Sequence, residues 1–239
     1  MIKHVFAMIM LLFFLSSCSN RNGFAPVVES QWKRFDPNAR QYTVKRGDTL
    51  YSIAFRYDVD YRQMAAYNRL SSPYTVRIGQ VLRIAPPARH AQKSISRPPS
   101  RPVPHTAPTA IKVSPPVRSN AIWVWPARGR VVANFAPQRG IKGINISGKK
   151  GDKIYAASSG VVAYSGSGLA GYGNLIIIRH NSRFMTAYGH NLRNNVHEGQ
   201  TVQKGQVIAD MGVINRHYWG VHFEIRESGK PVNPLIYLR

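Results

Sequence analysis

The stretch Gly-Val-His-Phe-Glu-Ile-Arg, residues 220–226, lies near the end of the 239-residue chain and alternates with a period of two. In a strand with this period, the valine, phenylalanine and isoleucine share one face, and the glycine, histidine and glutamate share the other. The pattern predicts a strand with an apolar face and a functional face. A second histidine two positions before His222 would make a metal site with a catalytic partner, but Gly220 stands there.

This stretch belongs to a C-terminal region, residues 121–239, that we predict to be all-β. Its segments rich in Val, Ile and Leu are separated by glycine turns. Segments at this spacing are typical of an antiparallel sandwich or barrel-like domain with one core. The predicted strands are Gly129–Asn134, Lys153–Ala156, Gly160–Ser165, Asn174–His180, Arg183–His190, Gln206–Met211 and Val221–Glu227.

The preceding region, residues 87–120, is Pro-rich and basic. Eight prolines recur among Ser, Arg and Ala, and no acidic residue occurs. Such a composition cannot bury a core, so we predict an extended linker with polyproline-II character. Its charge either holds an anionic polymer or only keeps the spacer solvated.

Residues 41–86 predict a small α+β module with the order strand, helix, helix, strand. The alternating Gln41–Val44 indicates the first strand, and Val81–Ile84 indicates the second. After a glycine turn, apolar residues recur at helical spacing, and Asp48 or Thr49 is the expected N-cap.

This segment resembles a LysM module. The resemblance is carried by residues 42–50, Tyr-Thr-Val-Lys-Arg-Gly-Asp-Thr-Leu, by residues 52–54, by Asn68 and by residues 78–82, Ile-Gly-Gln-Val-Leu. It implies binding of a glycan that contains N-acetylglucosamine, here peptidoglycan. It also implies a groove between two loops, whose residues are Gly47, Asp48, Thr49, Leu50, Tyr51, Arg77, Ile78, Gly79 and Gln80.

The N-terminus has the composition of an export signal. Its apolar run, residues 5–15, is too short to span a bilayer. Small residues ending at Cys18, the one cysteine of the chain, resemble a bacterial lipobox. The resemblance implies a signal peptide over residues 1–17, lipidation of Cys18 and a tether over residues 18–40. Because Ser19 follows the cysteine, it also implies an outer-membrane lipoprotein that faces the periplasm, with membrane contact through the lipid anchor only.

The chain is strongly basic, with a formal net charge of +23. Such a surface suits a polyanion, and on charge alone nucleic acid, anionic lipid and anionic cell-wall polymer all qualify. The sequence has no Walker-type loop, zinc-finger spacing or RNA-binding aromatic motif, so we expect no nucleic-acid partner.

Residues 122–239 resemble the lysostaphin/LytM-type zinc endopeptidases. The matching stretches are residues 143–146, 151–154, 156–162, 171–180, 187–190, 196–205 and 222–224. For the active enzymes the resemblance implies three metal ligands: a histidine, an aspartate four residues later and the second histidine of a His-x-His strand. The first histidine of that strand and another upstream histidine assist catalysis.

Carried over one at a time, these positions are mostly degenerate. The resemblance places Ile141 at the first ligand, Asn145 at the aspartate and His222 at the last ligand, with Gly220 and His190 at the two catalytic histidines. A catalytic zinc needs three protein ligands and an open position for water. We therefore expect no metal or other cofactor and no hydrolysis. His190 and His222 remain as groove-lining residues or as hydrogen-bond partners. The other histidines of the domain that we considered are expected at the surface or in turns: His180, His197 and His217.

The combination of lipobox, LysM module, Pro-rich linker and degenerate LytM domain resembles the NlpD-like murein hydrolase activators. Members of that family bind periplasmic N-acetylmuramoyl-L-alanine amidases and relieve their autoinhibition during daughter-cell separation. The resemblance implies that role here, with enrichment at the division site and with the empty groove receiving the amidase. The expected groove residues, where Gly220 removes bulk and Ile141 adds apolar surface, are Ile141, Asn145, Tyr172, His190, Gly220 and His222.

Two other functions stay open on the sequence alone. A passive cell-wall tether or scaffold needs only the LysM module and the lipid anchor. A zinc endopeptidase needs an unusual ligand set that the spacing does not reveal.

Overall fold

The computed structural model describes residue 36, residues 38–85 and residues 123–239. The predicted signal peptide, Cys18, most of the tether and the Pro-rich linker fall outside these residues. The described residues from Asn38 onward belong to one compact unit. Within the described ranges, no helix combines the length and the apolar character needed to cross a membrane.

The N-terminal module has the predicted order of elements. They are β1 (Gln41–Thr43), α1 (Leu50–Arg56), α2 (Tyr61–Tyr67) and β2 (Val81–Arg83). The two strands are antiparallel. Thr49 is the N-cap of α1, because its side chain accepts a hydrogen bond from the Ser52 amide while the Ser52 hydroxyl accepts one from the Thr49 amide. Asp48 instead closes the preceding turn by accepting from the Lys45 amide at 2.8 Å.

The C-terminal domain is a ten-stranded antiparallel sheet with two short 3₁₀ helices. Its strands are β3 (Val131–Ala133), β4 (Ile144–Ser147), β5 (Lys153–Tyr155), β6 (Gly160–Gly166), β7 (Asn174–Arg179), β8 (Phe184–Asn194), β9 (Thr201–Val202), β10 (Val207–Ile214), β11 (Tyr218–Glu227) and β12 (Lys230–Val232). The main order is β3-β4-β11-β10-β8-β7-β6-β9, with β12 on β11 and β5 on β10.

All seven predicted strands are present, and β6, β8, β10 and β11 extend beyond their predicted bounds. The pattern missed β4, β9 and β12. β9 has two residues, too few to display a period of two. β4 and β12, with four and three residues, are no shorter than the predicted β3 and β5, so their length does not explain why they were missed.

The apolar face of β11 lies in the core, as its alternation predicts. Val221, Phe223 and Ile225 are each 0% exposed and belong to one cluster with Trp123 and Tyr188. Complete burial of such side chains contributes on the order of 1.5–3 kcal/mol each. This strand is therefore a central support of the sheet.

The opposite side of the sheet is covered by the LysM module. The buried residues of the module, among them Phe55 and Met64, form one hydrophobic cluster with Tyr164, Leu175 and Ile177 of β6 and β7. The Thr49 hydroxyl also donates to the Ala163 carbonyl at 3.2 Å. The two domains thus share a packed interface.

Candidate functional site

A groove of about 310 Å³ lies where β4, β8, β10 and β11 meet the loops before β4 and β7. It is lined by Gly140, Ile141, Lys142, Asn145, Gly171, Tyr172, His190, Ile214, Asn215, His222 and Glu224. Five of the six predicted groove residues are therefore brought together here, and Gly220 is the exception.

His222 is fixed at the floor of this groove by hydrogen bonds at both ring nitrogens. It lies opposite Asn145 in the β11–β4 pairing. Its Nδ1 is 2.6 Å from the Asn145 Oδ1, and its Nε2 is 3.0 Å from the Glu224 Oε1. Because both nitrogens face oxygen atoms of neighbouring side chains, neither is free to bind a ligand without breaking a hydrogen bond.

Gly220 does not open space in the groove, so that prediction was wrong. The glycine is buried, and a Cβ added to it would come within 2.7 Å of the Ile146 carbonyl oxygen and 3.3 Å of the Tyr218 ring. Tyr218 lies two positions earlier on the same strand, and its hydroxyl accepts a hydrogen bond from the Asn145 Nδ2 at 2.8 Å. The Tyr218 ring therefore lies beside the space that a side chain at position 220 would need.

Glu224 is the most constrained charge of the site. Its side chain is 0% exposed; Oε1 accepts from the Tyr172 hydroxyl at 2.8 Å, and Oε2 accepts from the Arg226 Nε at 2.6 Å. Burial alone would raise the pKa of this carboxyl, but the Arg226 charge and the His222 hydrogen bond outweigh it and lower the pKa to about 2. The group is therefore a carboxylate at neutral pH.

The same network reaches the LysM module through Arg226. The guanidinium is fully buried, lies 4.0 Å from the Phe55 ring centroid and donates to the carboxylate of Asp58. Asp58 also accepts from the Lys142 Nζ at 2.6 Å, and Lys142 lines the groove. Phe55 packs edge-on against Tyr172 at 5.4 Å. The loop after α1 therefore contacts the groove from behind.

His190 and Ile141 both line the groove. His190 has a left-handed backbone (φ 62°), and its amide donates to the Tyr172 carbonyl at 2.7 Å. Burial, with a contribution from nearby His222, lowers the pKa of the His190 ring, which favours its neutral form. The backbone of Ile141 pairs with that of Ala136 in an isolated antiparallel β-bridge. The groove thus combines an apolar side chain with a neutral imidazole.

The donor set does not fit the zinc ion of an active endopeptidase. Ile141 has no ligating atom, Asn145 and His222 are hydrogen-bonded to each other, and no second histidine stands on β11 beside His222. Across residues 38–85 and 123–239, no three His, Cys, Asp or Glu side chains are grouped so that they can hold a metal. His222 is the only imidazole among the three positions of the metal ligands, and a catalytic zinc needs three protein ligands.

The predicted glycan-binding residues of the LysM module fall into two groups. Asp48, Thr49, Leu50 and Tyr51 line a second cleft, although the Leu50 side chain is itself buried. Gly47 and the residues of the other loop, 77–80, do not line this cleft; Gly79 and Gln80 instead exchange backbone hydrogen bonds with Val44. The cleft is completed by residues 72–76, which the sequence did not single out.

One of the three other histidines departs from its prediction. His197 and His217 are exposed, but His180 packs edge-on against Trp123 at 4.8 Å. Its ring nitrogens lie 2.8 Å from the Ser159 carbonyl and 2.8 Å from the Thr186 hydroxyl. It is therefore a structural side chain of the domain interior.

Sequence reasoning also missed the Glu224–Arg226–Asp58 network. The available signal was the pair of opposite charges, Glu224 and Arg226, on alternate positions of β11. Buried charges need partners, so this pair could have indicated a buried ion-pair network. Asp58 lies in a different domain, and nothing in local spacing relates it to Arg226.

Two family models match this chain: LysM domain over residues 42–85 and Peptidase family M23 over residues 139–234. Among solved structures, a putative peptidase M23 from Pseudomonas aeruginosa is 25% identical, covers 52% of this chain and 53% of its own, and superposes with a TM-score of 0.45. The assignment of the two domains rests on the family models.

Curated relatives extend the similarity over most of the chain. The lipoprotein NlpD/LppB homolog of Pseudomonas aeruginosa is 40% identical, covering 92% of this chain and 82% of the relative. The uncharacterized lipoprotein YgeR of Escherichia coli is 40% identical, covering 82% and 80%. The murein hydrolase activator NlpD of Salmonella typhimurium is 37% identical, covering 82% and 67%. With a LysM domain followed by a domain of peptidase family M23, the chain belongs to the NlpD/LppB lipoprotein family.

Proposed function

We propose that the chain is a non-catalytic, peptidoglycan-binding outer-membrane lipoprotein that activates a periplasmic N-acetylmuramoyl-L-alanine amidase during septal cell-wall splitting. The role of cell-wall-associated activator draws on relatives named murein hydrolase activators and on the LysM and M23 domains. The lipidated Cys18 and the periplasmic location draw on the lipobox and on relatives named outer membrane antigenic lipoprotein.

The observation that carries the proposal is the state of the groove. It keeps an opening of about 310 Å³, while the side chains on its floor are hydrogen-bonded to one another. A set of groups held in this way cannot activate water, but it forms a rigid surface that a partner segment can occupy. We therefore assign the groove to binding of the amidase.

Activation then follows from differential affinity. The groove favours the open form of the amidase only if it binds the segment presented by that form better than the blocked form. An apolar wall at Ile141 and the neutral His190 ring suit a segment with an apolar side chain and a hydrogen-bonding group. Lys142 also lines the groove, and its charge is paired with Asp58.

The test is dye release from labelled sacculi by the purified full chain, with and without a purified periplasmic amidase from the same organism. We expect no release by the chain alone and strong release with the amidase. Ile141→Glu places a charge in the apolar wall and is expected to reduce the stimulated release at least tenfold. Ile236→Glu is the matched control, because Ile236 is 66% exposed and lies outside the groove.

Release by the chain alone, removed by a chelator, would establish an endopeptidase and contradict the proposal. No stimulation of any periplasmic amidase from the organism would leave the passive tether as the function. Equal loss in the two glutamate variants would mean that the groove is not the amidase site.

A further inference from the structure

A cleft of about 420 Å³ separates the LysM module from the edge of the sheet. The module contributes residues 48–51 and 72–76, and the second domain contributes Val161, Val162, Ala163, Arg179, Glu198 and Gly199. The loop that the LysM resemblance associates with glycan therefore faces a second protein wall.

The LysM side of this cleft is aromatic. Tyr51 and Tyr74 are partly exposed and line the cleft, with ring centroids 6.2 Å apart. Tyr61 supports both rings from below, at 4.7 Å from Tyr51 and 5.7 Å from Tyr74. Rings held in this way offer apolar faces to the C–H face of a sugar and hydroxyl groups to its polar substituents.

The opposite wall supplies a cation. Arg179 is the last residue of β7, is partly buried and places its guanidinium 6.0 Å from the Tyr51 ring centroid. It takes part in none of the salt bridges formed among the described residues. Glu198 lines the same cleft and accepts from the Ser165 amide at 3.3 Å. A planar guanidinium beside an aromatic wall is suited to bidentate binding of a carboxylate.

We propose that this cleft is a composite peptidoglycan site, in which the LysM tyrosines pack against an N-acetylated sugar and Arg179 binds a carboxylate of the attached stem peptide. The second domain thus adds recognition of the peptide to recognition of the glycan. The inference rests on the peptidoglycan-binding part of the proposed function and does not depend on amidase activation.

Equilibrium binding to the full chain in detergent tests this site with two soluble probes. One is an uncharged N-acetylglucosamine tetramer, and the other is a peptidoglycan disaccharide that carries its stem peptide. We expect Arg179→Gln to weaken binding of the disaccharide-peptide about tenfold and to change binding of the tetramer less than twofold. Arg179→Lys is expected to retain part of the affinity, because it keeps the charge but loses the bidentate geometry.

Arg130→Gln is the matched control, since Arg130 is an exposed arginine of the same domain outside the cleft. Equal effects of Arg179→Gln on both probes, or on neither, would overturn the proposal. So would tighter binding of both probes by Asp58→Asn, which weakens the contact between the domains, because the second wall would then be an obstruction. If the wild-type chain binds neither probe, peptidoglycan binding itself fails; the amidase assay is unaffected by any of these outcomes.

Discussion

His180 shows how the environment of one side chain sets a pH response. The ring lies against Trp123, with its nitrogens engaged by Ser159 and Thr186. Burial lowers the pKa of His180 to about 4, and the hydrogen bond to Ser159 only partly opposes this. The unfolded chain has an ordinary histidine pKa near 6.5, so it takes up a proton at a pH where the folded protein does not.

Stability should consequently fall with acidification. The contribution of His180 is fully present above about pH 6.5 and is lost as the pH falls toward about 4, by an amount on the order of 3 kcal/mol. Urea unfolding of the wild type and of His180→Gln between pH 7 and pH 4 measures this pH-dependent contribution to the free energy of unfolding. The variant should show the shallower dependence; His190 is present in both proteins and cancels. Parallel curves would mean that His180 is solvated in the folded state.

Glu224 is the second residue whose partners determine its role. Its carboxylate is fully buried between Arg226, His222 and Tyr172. Glu224→Gln keeps the shape but removes the fully buried carboxylate that pairs with Arg226, whose other partner, Asp58, is 28% exposed. Removing one member of a buried pair costs about 3–5 kcal/mol when the remaining charge is left without a partner. Because Asp58 still pairs with Arg226, we expect a loss near the lower end, about 3 kcal/mol.

Chemical denaturation of Glu224→Gln checks this cost, with Glu227→Gln as the control. Glu227 lies on the same strand and pairs with Arg183, but its side chain is 25% exposed. The control should therefore lose no more than about 1 kcal/mol. Similar losses in the two variants would show that water reaches the Glu224–Arg226 pair.

Strand β11 shows how far an element can be predicted from its pattern. The alternation correctly predicted that Val221, Phe223 and Ile225 enter the core, because a strand places alternate residues on one face. It did not predict burial of the other face, where Glu224 and Arg226 are each 0% exposed. Arg226 is covered by Phe55 and Asp58 of the LysM module, and Glu224 contacts Tyr172 of the loop before β7; no local period encodes either contact.

The turn before α1 and the β11–β4 pairing illustrate a second limit. Asp48 and Thr49 are both good capping residues, and only backbone geometry decides that Thr49 caps while Asp48 bonds to Lys45. Gly220 suggested an open space, yet the Tyr218 ring and the β4 backbone take up its surroundings. In both cases the residue types indicated the kind of local structure. The positions of the neighbouring atoms, which decide the outcome, cannot be read from the spacing of residues along the sequence.

At the scale of the whole molecule, the important feature is that the LysM module contacts both candidate sites. Its tyrosines line the composite cleft, and its Phe55 and Asp58 contact the residues behind the groove. Asp58 forms ion pairs with Arg226 and Lys142, which belong to the second domain. The position of the module therefore bears on the shape of the groove as well as on the cleft.

Asp58→Asn tests how much this contact holds the domains together. Asparagine tolerates the left-handed backbone found at residue 58 (φ 53°), so the change removes charge without adding strain. We expect a loss of about 1–3 kcal/mol of stability and faster hydrogen exchange in both α1 and β7, since each is protected by the other domain.

Asp210→Asn is the control, because Asp210 also pairs with two cations, Lys153 and Arg193, but does so away from the module. Exchange that increases only within α1 would mean that the module loosens locally while the domains stay packed; an equal response in the control would mean that the effect is global destabilisation. Coordinated exposure of α1 and β7 in Asp58→Asn alone would show that this ion pair holds the module against the sheet.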